Sequence, residues 1–391
     1  MGLVNNLRGL AAVDKYYRDY GYRARELKRQ GRKLIGYLCA YVPLEVITAA
    51  GFVPFRIKGS VSEPITRADT QMETIVCPLV RSCFDMALKG SYDFLDGLVI
   101  PHACDSICRT YDIWKYNLNL PYSHLINLPH SADDSSLEFF KAVLNTFKNS
   151  LERFAGKEIS NESLAQAVRV YNQNRAKVRE LYELRKSDPP LISGTEVAKT
   201  LVAVMGIPVD EGNDLLADII REVKQRASVP AGKSARIMVV GAQIDDVALI
   251  DLIEDSGAQV VADDLCPGAR EYFPLVDVTD DPIDGIAERY LRKIKCGRTY
   301  REMKASYREY LEDRFGHIGQ MVKDFKVGGV VLYIYKYCDP FGFEVPAMKS
   351  YIESLGTPVL YLEDEYSMST IARLRTRVQA FLEMMANGGG R

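Results

Sequence analysis

The sequence predicts an α/β protein: two parallel-sheet domains, 36–130 and 231–391, with an intervening helical segment, 131–230, and an N-terminal helical segment, 1–35. Two observations carry this. In both outer segments, short apolar runs alternate with amphipathic stretches, the pattern of a parallel sheet covered on both faces. In the middle that alternation gives way to a period of three to four residues.

In the first outer segment, Lys33 to Leu38, Val53 to Ile57, Leu95 to Ile100 and Ser123 to Leu128 read as strands. A helix opens near Pro43 and ends near Gly51, placing proline in the first turn and glycine past the end. Ser135 to Glu138 has capping-box spacing, and Leu137, Phe140, Leu144, Phe147, Leu151 and Phe154 then follow a helical period. A second long helix, Leu164 to Tyr182, is stopped by Pro189-Pro190. The alternation resumes past Pro230-Ala-Gly-Lys, with strands at Ile237 to Val240, Gln259 to Ala262, Val330 to Tyr335 and Val359 to Leu362. Two helices are expected over 282–325, and further ones over Pro346 to Leu355 and Met368 to Met385. The tail Asn387-Gly-Gly-Gly-Arg391 is expected to be disordered.

The chain has 391 residues and a formal net charge of −2, which argues against nucleic acid as the main partner. No apolar stretch approaches the ~18 residues of a membrane span. The first residues lack the pattern of a signal peptide, so a cytoplasmic protein is expected. Residues 1–35 carry nine Lys or Arg against three acids. That reads as a solvated amphipathic helix, or as a dock for an anionic partner. Thirteen acids against one base fall between Ile244 and Glu288. Asp263 and Asp264, at a strand end, are the pair among them placed to line a site.

The cysteines carry the chemistry. Cys77 stands before Pro78, Cys104 just past the Leu95 strand, and Cys338 after the Val330 strand. Each would present its sulfur where open α/β sheets bind ligands, outside the carboxyl ends of strands. At a helix N-terminus, free amides favour thiolate over thiol. Soft thiolates select zinc, copper(I) or iron–sulfur clusters, and three of them leave a position open. A lone cysteine of this kind is ordinarily a small buried hydrophobe; three at equivalent strand ends are expected to form one site. Cys39 also follows a strand and can face that site. Cys83, Cys108 and Cys296 fall in expected helices and read as packing, and Cys266 lies in a loop with no evident partner. Glu45 is the candidate general acid or base, with complementing the helix dipole as its plainer role. Gly241-Ala-Gln-Ile-Asp-Asp246 lacks the second glycine of a dinucleotide fingerprint, and no GxxxxGK[ST] loop is present.

The blocks IGYLCAYVPLEVITAAGFVPFRI, CPLVRSCF, YDFLDGLVIPHACDSICRTYDIW, VVGAQIDDVALIDLIEDSGAQVVADDLCPGAREYF and YKYCDPFGFEVPAMKSYIESLGTPVLYLEDE appear in that order. With them the chain resembles the iron–sulfur subunits of the 2-hydroxyacyl-CoA dehydratase and benzoyl-CoA reductase family. The resemblance implies two Rossmann/flavodoxin-like domains facing each other, with a 4Fe–4S cluster held between them by Cys77, Cys104 and Cys338. It implies a related subunit or a second copy as partner, an ATP-dependent iron–sulfur activator, and low-potential electrons passed to a CoA thioester. A further branch of the family carries a double-cubane 8Fe–9S cluster and reduces small molecules. The block CDSICRTYDIW lacks the basic run of the most familiar dehydratase subunits and is closer to the reductase-like members. Outside this family, a two-lobed ligand-binding protein and a zinc protein are the alternatives.

Overall fold

The computed structural model describes residues 8–226 and 234–388. The Pro230–Lys233 boundary and the last residues of the glycine tail lie outside them. All eight expected strands form: β1 (Leu34–Tyr37), β2 (Val53–Arg56), β3 (Gly97–Pro101), β4 (Tyr122–Ile126), β5 (Arg236–Gly241), β6 (Gln259–Asp264), β7 (Gly329–Tyr335) and β8 (Val359–Asp364). They make two four-stranded sheets, ordered β2-β1-β3-β4 and β6-β5-β7-β8, with every pairing parallel. In each sheet the chain reverses its direction of winding between the two central strands, so a crevice opens at their carboxyl ends.

The long central helices form as the periodicity requires, at Asp134–Ala155 and Asn161–Glu183. The first starts earlier than its capping-box spacing suggests. Asp133 is the cap, accepting from the Ser136 amide at 2.8 Å, because a carboxylate two residues upstream out-competes the serine. Phe140, Leu144, Phe147 and Leu151 are fully buried against the first sheet. Each contributes about 1.5–3 kcal/mol of apolar burial. Helix Val209–Lys224 instead buries Leu216, Ile219 and Val223 with Val240 and Val261 of the second sheet. The helical segment thus clamps both lobes.

One segment departs from the expected division. Residues 276–294, assigned on sequence to the second α/β domain, pack on the first lobe, with Val276, Ile283, Ile286 and Tyr290 in the core of Tyr37, Tyr41 and Val46. Instead of a continuous helix, Pro282–Glu288 passes into one π-helical turn, Arg289–Lys293, and then a loop. Arg298 fastens the loop by donating to the carbonyls of Pro129 (2.7 Å), Ala103 (3.2 Å) and Leu128 (3.3 Å). The chain returns to the second lobe with helix Tyr307–Asp324.

In the basic N-terminal stretch, Arg23 is engaged by Glu211, Arg25 by Asp19 and Lys28 by Asp96. Much of its charge is therefore paired within the molecule. No helix among the described residues is long and apolar enough to cross a membrane.

Candidate functional site: a thiol-lined cavity between the lobes

A cavity lies where the carboxyl ends of the two sheets meet, and seven of the eight cysteines line it: Cys39, Cys77, Cys83, Cys104, Cys266, Cys296 and Cys338. Cys108, one helical turn beyond Cys104, does not.

Cys77, Cys104 and Cys338 arrive by one local device, although only Cys104 and Cys338 stand just past strands; Cys77 ends the loop that follows β2 and the short turn Ala68–Thr70. Cys77 caps helix Pro78–Leu88, Cys104 caps Asp105–Asn117, and Cys338 caps the short turn Asp339–Gly342. The amides of Leu79 and Val80, of Ile107 and of Phe341 face the respective sulfurs and favour thiolate. Burial outweighs them. It raises all three thiols, Cys104 to about 12, and Cys338 is raised further by Cys77 and Cys104. Cations introduced among these sulfurs would reverse that balance and displace the protons.

Cys39, Cys266 and Cys296 form a second group. Burial raises the Cys39 thiol first, and its neighbours Cys266 and Cys296 raise it further. Cys39 sits two residues past β1 with φ of +72°, and Tyr337 sits two residues past β7 with φ of +62°. A non-glycine residue held there costs about 1–3 kcal/mol, and such strain gathers at functional sites. Cys266 follows β6 and receives Arg270 Nη1 at 3.3 Å. Cys296 is delivered by the loop that crosses to the first lobe. The two groups adjoin, since Cys104 is raised by Cys296 and Cys338 by Cys266. Cys104, Cys296 and Cys338 keep some exposure, whereas Cys39, Cys77, Cys83 and Cys266 are buried.

The structure thus brings the four sequence-selected cysteines, 39, 77, 104 and 338, to one cavity, and adds Cys266, Cys296 and Cys83. Cys296 is not the helical packing residue that the sequence suggests; the π-turn ends before it, so it projects from a loop. Sequence carries a signal for Cys266, because Cys266-Pro267 after a strand repeats the Cys77-Pro78 dipeptide. Glu45 goes elsewhere. It is fully buried outside the cavity, bonded to Arg175 at 2.6 Å and receiving the Tyr290 hydroxyl at 2.9 Å. Burial pushes its carboxyl up, but Arg175 and Arg289 outweigh this and hold it below the ordinary range. That is a structural ion pair, unsuited to proton exchange near neutral pH. Asp263 is likewise consumed, by Tyr182 and Arg185, and Asp264 by Arg270 and by His317 in a neighbouring small cavity.

A family profile described as "2-hydroxyglutaryl-CoA dehydratase, D-component" matches residues 39–385. The chain belongs to that family. The (R)-phenyllactyl-CoA dehydratase beta subunit of Clostridium sporogenes is 26% identical over 95% of this chain and 99% of its own length. A benzoyl-CoA reductase subunit of Thauera aromatica is 27% identical over 93% and 95%. The beta subunit of (R)-2-hydroxyglutaryl-CoA dehydratase from Acidaminococcus fermentans is 25% identical over 92% and 94%. This 2-hydroxyglutaryl-CoA dehydratase family chain is therefore an enzyme subunit of the dehydratase and reductase group, and the profile takes in every cysteine of the cavity.

Proposed function

We propose that the chain is the iron–sulfur subunit of a CoA-thioester dehydratase or benzoyl-CoA-type reductase, and that the thiol-lined cavity holds its cluster. The observation that carries this reading is the convergence of seven cysteines on one cavity. Thiolates are the donors that iron–sulfur clusters take, and histidine is absent from the lining. Among the described residues no three or more His, Cys, Asp or Glu are gathered tightly enough for a single metal ion. When bound, an iron–sulfur cluster supplies low-potential single electrons.

Cys77, Cys104 and Cys338 are the ligands assigned to a 4Fe–4S cluster. A specific observation favours the double-cubane 8Fe–9S alternative: Cys39, Cys266 and Cys296 make a second set of three thiols in the same cavity. Six thiols in two adjoining triads match two four-iron units better than one. The chain's own residues would present the thiols, keep the cavity apolar and release the thiol protons as metal enters. Relatives are named as subunits, which supports a partner, either a related subunit or a second copy of this chain. With no phosphate-binding loop of its own, the chain would take electrons from a separate ATP-dependent activator.

Iron and acid-labile sulfide in anaerobically purified protein test both readings. About eight iron per chain supports the two-triad cavity, and about four supports one cluster on Cys77, Cys104 and Cys338. Zinc in place of iron would remove both.

A further inference from the structure

The two thiol triads differ in the charge buried around them. Arg56, at the end of β2, is 2% exposed, Arg270 is 4% exposed and Arg298 is 7% exposed. All three reach the second triad, and Arg298 also binds the carbonyl of Ala103, next to Cys104. Arg270 donates to Cys266, Arg298 lines the cavity two residues past Cys296, and Arg56 lies within electrostatic reach of Cys266 and Cys39. Around Cys77, Cys104 and Cys338 the neighbouring charges are Asp339 and Arg81, and Arg81 is paired with Asp69.

Arg56 and Arg298 have no carboxylate within ion-pair distance among the described residues. Arg298 bonds only backbone carbonyls. Arg56 donates from Nη2 to the Gln243 side-chain oxygen at 3.0 Å and lies over the Tyr37 ring, 5.6 Å from its centroid, while no carboxylate bonds its Nε or Nη1. Gln243 lines the cavity, and its own Nε2 is also unpartnered. Glu271 is the carboxylate within electrostatic reach of Arg56, and it is shared. Glu45 and Glu271 are shared among Arg175, Arg289 and Arg56, leaving positive charge in excess. A buried guanidinium whose nearest carboxylate is shared with two other arginines is unfavourable, and an anion beside Arg56 would relieve it. Three thiolates carrying a cluster are such an anion.

We propose that Arg56, supported by Arg298 and Arg270, is a positioning residue for the second triad. It raises the reduction potential of the centre on Cys39, Cys266 and Cys296 above that on Cys77, Cys104 and Cys338. The inference rests on the two-triad reading. Fixed positive charge and hydrogen bonds to the ligand sulfurs both favour the more negative, reduced state of a cluster. A centre held at the second triad would take up the first electron, and one held at Cys104 and Cys338 would be the stronger reductant.

The test is a redox titration of the iron-loaded full chain with titanium(III) citrate, followed by electron paramagnetic resonance. Arg56→Met should move the first reduction to lower potential by at least tenfold in its equilibrium constant, about 59 mV for one electron. Arg56→Lys should recover most of the shift. Gln243→Glu sets a carboxylate against Arg56 without removing it, and should shift the potential the same way if Arg56→Met does not fold. Unmoved midpoints in variants with unchanged iron overturn the inference and leave the two-triad reading standing. Iron near four per chain, unaltered by Cys266→Ser, sinks that reading instead, whatever Arg56 does.

Discussion

The two sheets are laid out on one plan and used differently. Both have the order outer, central, central, outer, with all strands parallel. Cys104 follows the central strand β3, and Cys338 follows its counterpart β7. The other central pair diverges: β1 leads to Cys39, whereas β5 leads to Ala242 and Gln243. The second lobe takes its deeper thiol from the end of β6, at Cys266, and sends Cys296 across to pack beside the first. The strands are therefore interchangeable scaffold, and the differences lie in the loops at their carboxyl ends. Neither lobe holds a complete triad, because Cys77, Cys104 and Cys338 span both, as do Cys39, Cys266 and Cys296.

Breaking one triad at a time gives the largest expected effect. Cys104→Ser should bleach the visible absorption of the first centre and lower turnover by 100-fold or more, about 2.7 kcal/mol of lost transition-state stabilisation. Cys266→Ser should remove about half of the iron, as expected for one of two four-iron units. Cys108→Ser, in the same helix as Cys104 but off the cavity, should leave both properties intact. If Cys266→Ser matched Cys108→Ser, the second triad would be packing and the two lobes would differ less than the geometry implies.

Which parts are legible in the sequence follows from how local each signal is. All eight strands are readable because each is a short buried run bounded by turn residues. Cys104 and Cys338 are readable because a cysteine between a strand and a helix start states its own position, and Cys77 because Pro78 marks the helix start after it. Cys296 is not. Its place depends on the π-turn at Arg289–Lys293 and on Arg298 binding carbonyls about 170 residues earlier, a contact that no local pattern encodes. Glu45 misleads for a related reason. Its position in a first turn suggests the cleft, but Arg175, on a helix remote in sequence, turns the carboxylate inward.

Glu45 supplies the next effect, on stability alone. Glu45→Ala should leave Arg175 buried with its counter-charge gone and destabilise the fold by about 3–5 kcal/mol. Denaturant unfolding measures this, while the iron content and turnover of the folded fraction should be unchanged. The sign with pH follows from its depressed pKa. The contribution is fully present above the ordinary glutamate value and is lost as pH falls through the lower folded value. Turnover lost in the folded, iron-loaded variant would return Glu45 to the chemistry.

The smallest expected effect sets the outer strands β4 and β8 against each other. His124 lies on β4 between Tyr122 and Ile126, its ring 5.0 Å from that of Phe147. Burial first, and then Arg153, depress its pKa from 6.5 to about 4. The folded state thus keeps the imidazole neutral where the unfolded chain would protonate it. That contribution is fully present above about pH 6.5 and is lost as pH falls towards 4. Allowing for partial solvent access, the loss between neutral pH and pH 5 should be about 1–2 kcal/mol. β8 has no histidine, and the nearest comparable group in the second lobe, Asp264, is depressed to about 2 against burial by Arg270 and His317. The second lobe should hold until a lower pH. Hydrogen exchange at pH 5 should therefore show β4 and helix Asp134–Ala155 loosening before β7 and β8, and His124→Gln should remove the difference. Equal loosening of both lobes in the unaltered protein, or an unchanged order in His124→Gln, would mean that the imidazole does not set the acid limit of the first lobe.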